Sequence, residues 1–188
     1  MELLTARLRL DALRREDAAA LFAYRADPAV SRYQGWRPAT LEDAARFIER
    51  QQLVAFDTPE SWYQFALRSR GTGELVGDLG LHFVDADMVE FGITLAPAQQ
   101  GQGFAADAVR AALALVFDEL KRHRMFASVD PRNFACVRLL QRLGLRQEAL
   151  HRESWRDGED WADDAIYAML AREWRAQQAA LPSGEGLG

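Results

Sequence analysis

A short glycine-containing loop carries the residues of this sequence whose types and spacing point most clearly to chemistry. It lies between the apolar run 89–95 and the alanine-rich run 105–120, and its residues are Gln100, Gly101, Gln102, Gly103, Phe104 and Ala105. Glycine lets the backbone approach a ligand closely, and the first amides of a helix have no intrahelical acceptor. Because those amides and the positive end of the helix dipole favour anions, the loop is predicted to bind a phosphate group.

The same loop fits two other phosphate motifs less well. Gly101-x-Gly103-x-x-Ala106 matches a loose dinucleotide fingerprint, with Asp130 as a candidate ribose ligand. That fingerprint should follow its strand directly within a βαβ series, whereas residues 96–100 intervene here and an antiparallel meander is predicted first. A P-loop is excluded because neither Lys-Ser nor Lys-Thr follows the second glycine.

The elements that must position this loop are a mixture of strands and helices. Thr40 and Asp43 form a capping-box pattern at the start of one helix. Asn133 is a candidate N-cap of another helix, which Gly144 is expected to end. Glycines within 69–73 favour a tight hairpin turn. Apolar periodicity predicts strands at 8–13, 62–68, 74–83, 88–95, 125–129, 146–155 and 164–170, and helices at 15–26, 41–54, 105–120 and 134–143.

Length and composition indicate one globular domain. The chain has 188 residues, of which 49% are apolar and 27% are charged, and this suits a single core. We assign the domain to residues 1–178 and expect 179–188, which are small, polar and glycine-rich, to form a flexible tail. The formal net charge of -5 argues against a nucleic-acid partner.

Cysteine usage and the first residues bear on the compartment. Cys136 is the single cysteine, which excludes an internal disulfide and a cysteine-based zinc site and fits a reducing compartment. The first residues lack the basic start and apolar block of a signal peptide, and no run approaches the ~20 apolar residues of a membrane span. We therefore expect a cytoplasmic protein with no membrane partner and no metal cofactor.

The loop pattern Gln100-x-x-Gly103-x-Ala105 resembles the Gln/Arg-x-x-Gly-x-Gly/Ala pyrophosphate loop of the GNAT N-acetyltransferase superfamily. Segments 5–10, 27–33, 133–145 and 167–174 are similar, in the same order, to its RimJ/RimL-like branch. The resemblance implies an α/β (α+β) fold: a mixed, twisted, mostly antiparallel sheet of about seven strands, splayed between the fourth and fifth strands and flanked by helices. It also implies direct acetyl transfer from acetyl-CoA to a primary amine in a ternary complex.

The resemblance further implies which residues hold coenzyme A. The backbone amides of residues 101–105 would bind the pyrophosphate. The edge formed by Ile93, Thr94 and Leu95 would hydrogen-bond the pantetheine amides, with a backbone N–H near Leu95 facing the thioester oxygen. Asn133 would cap its helix and also reach the cofactor.

Three side chains are candidates for proton transfer. An amine is mostly protonated at neutral pH, so a general base is expected. Glu90, in an apolar strand, is the first candidate, and the alternative is an orienting or salt-bridged residue at the sheet surface. His82 is the second candidate because its pKa suits the task, although a structural histidine is the alternative. Cys136 is a candidate acid for the leaving thiolate or a packing residue beside coenzyme A. Many relatives have a tyrosine where this chain has Leu140, and relatives of the RimL kind often have a serine where it has Cys136.

The acceptor is less constrained than the cofactor. Tyr33 and Trp36 lie in a segment similar in position to family segments that line the acceptor pocket; the alternative is a loop anchored by two aromatic rings. The acidic stretch 157–164 would attract a cationic acceptor or form a solvated turn. The expected acceptor is a protein N-terminal α-amine or a small-molecule amine, and the protein is expected to be a monomer or homodimer. A non-catalytic acyl-CoA-binding or sensing module is the alternative function.

Overall fold

The computed structural model describes residues 1–180, and within them it contains one sheet flanked by helices. The strands are β1 Leu3–Leu4, β2 Leu8–Ala12, β3 Ser61–Ser69, β4 Leu75–Phe83, β5 Met88–Leu95, β6 Arg124–Val129, β7 Arg146–Asp157 and β8 Asp160–Leu170. The helices are α1 Ala18–Arg25, α2 Pro28–Ser31, α3 Leu41–Gln52, α4 Phe104–Ala114, α5 Phe134–Arg142 and α6 Ala171–Ala180.

The strands form one mixed sheet in the order β1-β2-β3-β4-β5-β6-β8-β7. Every neighbouring pair is antiparallel except β5 and β6, which run parallel. The predicted mixed and mostly antiparallel sheet is therefore confirmed. The sheet has one strand more than the seven predicted. The additional strand is the two-residue β1, which pairs with β2 through Leu3 and Leu10 and is too short to be recognised from an apolar pattern.

The sheet splays between β5 and β6, as predicted for the fourth and fifth strands of the sequence pattern. The parallel pairing covers only Met88 to Glu90 of β5, opposite Arg124 to Phe126 of β6. Within the described residues, positions 91–95 of β5 pair with β4 alone, while β6 continues along β8. The second half of β5 therefore presents a free edge inside the molecule.

Two apolar cores fix the helices on opposite faces of the sheet. The larger core joins the sheet to α4, α5 and α6, and α4 contributes Ala108, Val109, Ala112 and Leu113 at helical spacing. The smaller core joins the other face to α1 and α3 through residues such as Leu21 and Ile48. Each face of the sheet is thus covered, and the splay opens between the covering layers.

The helix ends follow the predicted capping residues. The Thr40 side chain accepts from the Asp43 amide and the Asp43 side chain accepts from the Thr40 amide, which completes the capping box. Asn133 accepts from the Cys136 amide at 3.2 Å, and Gly144 follows α5 with a φ of 87°. These local signals were sufficient because each cap involves residues three or four apart in the chain.

Some boundaries differ from the predictions. The helix predicted at 15–26 begins with a separate 3₁₀ turn at Arg15–Asp17, and the one predicted at 105–120 continues beyond α4 as a π-helical turn at Leu115–Glu119. The four-residue α2 was not predicted, and the β7–β8 hairpin is longer than expected. Residues 179 and 180 belong to α6, so the predicted tail begins too early; its remainder, 181–188, lies outside the described residues.

Candidate active site

Two glutamine side chains hold the glycine loop, one against the end of β5 and one against the 3₁₀ turn at Pro97–Gln99. The Gln100 Nε2 group donates to the Leu95 carbonyl oxygen at 3.2 Å. The Gln102 Nε2 group donates to the Ala98 carbonyl oxygen at 2.7 Å. Because both bonds close short rings, the loop is held as a compact turn between the free edge of β5 and the first residue of α4.

The two loop glycines have backbone conformations that other residues rarely adopt. Gly101 has a φ of 74° and Gly103, the N-cap of α4, has a φ of 84°. A Cβ atom at Gly103 would also lie 2.9 Å from the Nη2 atom of Arg7. Glycine is required at position 103 both for the left-handed backbone and for the close approach of this arginine.

The amides of the predicted cofactor loop point away from protein acceptors. Within residues 1–180, the N–H groups of Gly101, Gln102, Gly103, Phe104 and Ala105 donate to no protein acceptor. Such unpaired donors at a helix N-terminus are stabilised by an anion, since the helix dipole adds a partial positive charge. The loop therefore fits a diphosphate group such as that of coenzyme A.

The free edge of β5 supplies peptide groups next to this loop. The Met88 carbonyl accepts from Val84 at 3.0 Å and the Ala96 amide donates to Val76 at 2.9 Å, so both groups point towards β4. Bonding direction alternates along an antiparallel strand. Of the predicted pantetheine residues, Ile93 and Leu95 therefore present backbone groups to the splay, whereas the backbone of Thr94 faces β4.

The start of α5 contains the predicted residues Asn133 and Cys136. The side-chain oxygen of Asn133 accepts from the Cys136 amide as the helix cap, and within residues 1–180 its side-chain nitrogen has no protein acceptor. Cys136 packs against the larger core, and burial raises the pKa of its thiol to about 11. A thiol with a raised pKa is a weaker acid, and this makes Cys136 a weaker candidate for the proton donor to the leaving thiolate.

On the α1 and α3 side of the sheet, two glycines lie opposite each other in adjacent strands and form a shallow depression, here called the glycine trough. Gly80 of β4 pairs with Gly92 of β5 and with Gln64 of β3. A Cβ atom at Gly80 would lie 2.7 Å from Gln64 Oε1 and 2.9 Å from the Trp62 ring, whereas a Cβ at Gly92 would have no atom within 4 Å. The trough is therefore open above Gly92, on the strand whose edge faces the splay.

Glu90 and His82 form one wall of the trough. They are paired residues of β5 and β4, and the His82 Nδ1 atom lies 3.3 Å from Glu90 Oε2. The side chains of His82 and Glu90 are 25% and 26% exposed, respectively, so both reach solvent. His82 is stacked on Trp62 with ring centroids 5.0 Å apart. Glu90 is also the last β5 residue paired with β6, and it therefore sits where the splay begins.

A buried polar cluster forms the opposite wall. Asp78, which is fully buried, accepts from Tyr24 at 2.7 Å and from Arg25 and Gln64. Burial and the neighbouring carboxylate raise the pKa of Tyr24 well above its usual range, so the phenol stays protonated as a donor. The cluster shows no unpaired charge, which explains how a carboxylate is tolerated in an apolar strand.

Gln34 connects this cluster to β5. The Thr94 hydroxyl donates to Gln34 Oε1 at 3.0 Å, and Arg25 Nη1 lies 3.4 Å from the same oxygen. Gln34, Asp78 and Trp62 were not predicted as site residues. A carboxylate within the apolar pattern of β4 was the one available signal for Asp78, while the role of Gln34 depends on how its loop folds over the sheet.

The predicted acceptor residues Tyr33 and Trp36 flank Gln34. Trp36 stacks on Phe47 with centroids 4.3 Å apart, and the Tyr33 hydroxyl lies 3.4 Å from the Arg132 carbonyl oxygen. Both rings are partly buried and anchor the loop. Within this segment, Gln34 is the residue with a hydrogen bond to β5.

The acidic stretch forms the turn and first part of β8. Asp163 accepts from the Glu153 amide at 2.8 Å, and Asp164 accepts from the Ser128 hydroxyl at 2.5 Å. These two carboxylates thus have protein partners on neighbouring strands. Their arrangement favours the interpretation of this stretch as a hairpin turn.

Comparison with known proteins identifies the family. Residues 7–146 match the family described as the acetyltransferase (GNAT) domain. The chain belongs to the GNAT acetyltransferase family. This GNAT domain is therefore that of an acetyl-CoA-dependent acetyltransferase, and the glycine loop followed by α4 is its predicted cofactor loop.

Individual GNAT proteins resemble the chain over nearly its whole length. The uncharacterized N-acetyltransferase YnaD of Bacillus subtilis is 28% identical over 175 residues, which covers 93% of this chain and 99% of YnaD. An acetyltransferase (GNAT family) structure from Bacillus anthracis has 26% identity and a TM-score of 0.84, covering 92% of this chain and 100% of that one.

A third structure, of RimL, a ribosomal L7/L12 alpha-N-protein acetyltransferase in complex with coenzyme A, has a TM-score of 0.80 at 16% identity. It covers 90% of this chain and 98% of RimL. At this level of identity the likeness concerns the fold.

Among residues 1–180, none of the helices combines the length and the apolar character needed to cross a bilayer. The same residues contain no group of three or more His, Cys, Asp or Glu side chains that could hold a metal ion.

Proposed function

We propose that this GNAT protein transfers the acetyl group of acetyl-CoA directly to a primary amine within a ternary complex. The observation that carries the proposal is the position of β5. Its free edge adjoins the loop of unpaired amides, and its other face carries Glu90 beside the glycine trough. One strand thus links the predicted cofactor groups to the predicted acceptor groups.

Acetyl transfer from a thioester to an amine does not require a nucleophilic side chain of the protein. A thioester is already activated, so orientation and hydrogen bonds to the developing negative charge provide most of the catalysis. The amides of the glycine loop would hold the diphosphate, and Ile93 and Leu95 would hydrogen-bond the pantetheine arm. The backbone groups of Leu95 face the splay, and its carbonyl oxygen already accepts from Gln100. The Leu95 N–H is therefore the group left for the ligand, and it is the proposed donor to the thioester oxygen.

Glu90 is the proposed general base. Its carboxylate is partly exposed, faces the open trough, and would accept the proton that an ammonium group must lose before attack. His82 would orient this carboxylate through the Nδ1 contact and relay the proton to solvent. A carboxylate and an imidazole also create a local preference for a cationic acceptor.

Cys136 is proposed as a packing residue beside the cofactor. The ordinary pKa of a thiol is about 8.5, so proton transfer from a thiol of pKa about 11 to a departing thiolate would be uphill. Direct departure of the thiolate, or protonation by water, then replaces a protein acid.

For the acceptor, we propose a primary amine, either a protein N-terminal α-amine or a small-molecule amine. The likeness to RimL supports the first possibility and a RimJ/RimL-like grouping, since that protein is named as an N-terminal protein acetyltransferase. The open space above Gly92, beside Glu90, would admit the amine of either class.

The test combines binding and turnover. Calorimetry measures coenzyme A binding, and thiol release from acetyl-CoA is followed against polyamines, amino acids and peptides with free N-termini, with mass spectrometry of the acetylated product. We expect binding, and thiol release with at least one amine. Binding without thiol release across the panel would favour the non-catalytic acyl-CoA-binding module instead. Absence of binding would contradict both functions.

A further inference from the structure

Arg7 precedes β2, and among residues 1–180 its side-chain hydrogen bonds and ring contact are with the glycine loop and the first turn of α4. Its Nε atom donates to Asp107 Oδ2 at 2.8 Å, and its Nη1 atom donates to the Gln102 carbonyl oxygen at 2.7 Å. Its guanidinium carbon lies 4.8 Å from the centre of the Phe104 ring. A residue about 95 positions away in the chain is thus fastened to the predicted cofactor loop.

The bond to Gln102 orients the next amide. In a planar trans peptide the C=O and the following N–H point in opposite directions. Because Arg7 draws the Gln102 carbonyl towards itself, the N–H of Gly103 is turned away from Arg7 and is left without a protein acceptor among residues 1–180. This is the orientation in which that amide can donate to an anion.

The bond to Asp107 removes an electrostatic conflict. A carboxylate in the first turn of α4 favours the helix by itself, but it would repel a diphosphate bound at the same helix end. Arg7 neutralises this carboxylate at 2.8 Å. An exposed ion pair adds little to stability. The pair therefore matters more for the charge near the loop than for the fold.

We propose that Arg7 is a positioning residue of the cofactor site, which prepares the glycine loop for a diphosphate by orienting the 102–103 peptide and cancelling the charge of Asp107. The inference rests on the proposed function, since it assumes that coenzyme A binds at this loop. It assigns a role to the N-terminal segment that contains Arg7, beyond pairing β2 with β3.

The test compares ligands with and without a diphosphate. Coenzyme A binding is measured by calorimetry and pantetheine binding by NMR titration for the wild type, Arg7→Ala, Asp107→Asn, and Arg7→Ala combined with Asp107→Asn. We expect Arg7→Ala to weaken coenzyme A binding at least about tenfold, as for the loss of a charge-assisted hydrogen bond. Pantetheine binding should change less than about twofold, because pantetheine lacks the diphosphate.

The double variant separates charge from loop shape. Asp107→Asn in the Arg7→Ala background should recover at least about threefold of the lost affinity, whereas Asp107→Asn alone should leave coenzyme A binding within about twofold of the wild type; this difference is a coupling that independent sites would not show. Arg7→Gln keeps a donor for Gln102 without the charge, and it answers the same question if the alanine variant does not fold. Arg46→Ala, which removes another exposed arginine paired with carboxylates on α3, is the matched control and should bind both ligands normally.

Three outcomes distinguish the proposals. Equal losses for coenzyme A and pantetheine would show a general structural role and overturn the inference. Unchanged coenzyme A binding in both Arg7 variants would also overturn it. Failure of the wild type to bind coenzyme A would instead contradict the proposed function, whatever Arg7 does.

Discussion

The two sides of the β5 strand build their sites from different chemical groups. On the loop side, the groups aimed at the ligand are backbone amides, set by the left-handed Gly101 and Gly103. On the trough side, they are side chains contributed by β4, β5 and the 33–36 loop, including Glu90, His82 and Gln34. In the proposed function, the first side binds a group common to every reaction of the family, and the second must recognise a particular amine.

This difference explains which part of the site can be predicted from the sequence. Backbone amides need glycines and a helix start at fixed spacing, and that requirement leaves a motif. Side chains brought together by strand register leave no motif, because their separation in the chain depends on the lengths of the intervening turns. The motif of the loop side therefore predicts the cofactor from the sequence, whereas the proposed acceptor site on the trough side is recognised only from the structure.

The largest effect is expected from a substitution that disrupts the glycine loop. Gly103→Val forces a branched side chain into a φ of 84° and against Arg7. The strain and the misaligned amides should weaken coenzyme A binding by about a hundredfold or more, measured by calorimetry. The matched control is Gly73→Val, at a φ of 77° in a hairpin turn with open space around it. Both variants should lose stability, but only the first should lose affinity, and equal binding in the two would contradict the role of the loop.

The next effect concerns the trough side alone. Glu90→Gln should lower kcat by about tenfold to a hundredfold, the lower range for a general base because His82 and water remain. Coenzyme A affinity should stay within about twofold, since the cofactor groups lie along the free edge of β5 whereas the Glu90 side chain lies on a face of the sheet. Turnover of the variant should also rise with pH towards the pKa of the amine, because only amine that has already lost its proton to water can then attack. Glu74→Gln, at an exposed carboxylate of the 69–74 turn, is the control.

Wild-type turnover of the Glu90→Gln variant across pH would remove Glu90 from the mechanism. The companion change His82→Asn tests the relay. If His82 only orients Glu90, the double variant should be no slower than Glu90→Gln, because the two residues act as one unit. Additive losses would indicate that each acts independently.

The elements and caps that depend on neighbouring residues were predictable. Thr40 and Asn133 were recognised as caps, and the strand before the glycine loop was recognised from its apolar run. The four-residue α2 was missed even though Asp27 caps it and Pro28 occupies its first turn. One turn is too short for an amphipathic period to emerge, so only the cap could have indicated it.

Contacts that depend on strand register could not be predicted from the sequence. His82 and Glu90 were proposed as separate candidates, and their pairing follows from how the 84–87 turn aligns β4 with β5. An irregularity between Leu67 and Arg68 likewise shifts the β3 register that places Trp62 on His82. A slip of one residue would move these side chains to the opposite face.

A smaller effect tests the shape of the trough. Gly92→Val would fill the open space above β5 without a steric conflict at its Cβ. We expect the KM for the amine to rise about tenfold, the cost of a displaced contact, with coenzyme A affinity unchanged. Gly71→Val, at an exposed turn glycine whose Cβ would meet only Ser69 at 3.8 Å, is the control. An unchanged KM would show that the acceptor does not enter above Gly92.

The smallest kinetic effect is expected at Cys136. Because its thiol has a pKa of about 11, it stays protonated in the folded protein across the working pH range. Cys136→Ala should therefore change kcat less than about twofold and leave the pH profile unaltered between pH 6 and about 9. A loss above about tenfold that Cys136→Ser does not restore would instead assign the thiol an acid role, because serine keeps the size of the side chain but is a weaker acid.

Stability gives an independent check on the same thiol. Its pKa is raised from 9.0 in the free side chain to about 11 in the fold, so the folded state binds the proton more tightly. The associated stability is fully present below about pH 9 and is lost as pH rises towards 11. The unfolding free energy of the wild type should therefore fall across this window by up to about 2 kcal/mol more than that of Cys136→Ala. Parallel curves in urea unfolding would mean that the thiol is not buried beside the cofactor site, and would reopen its role in the reaction.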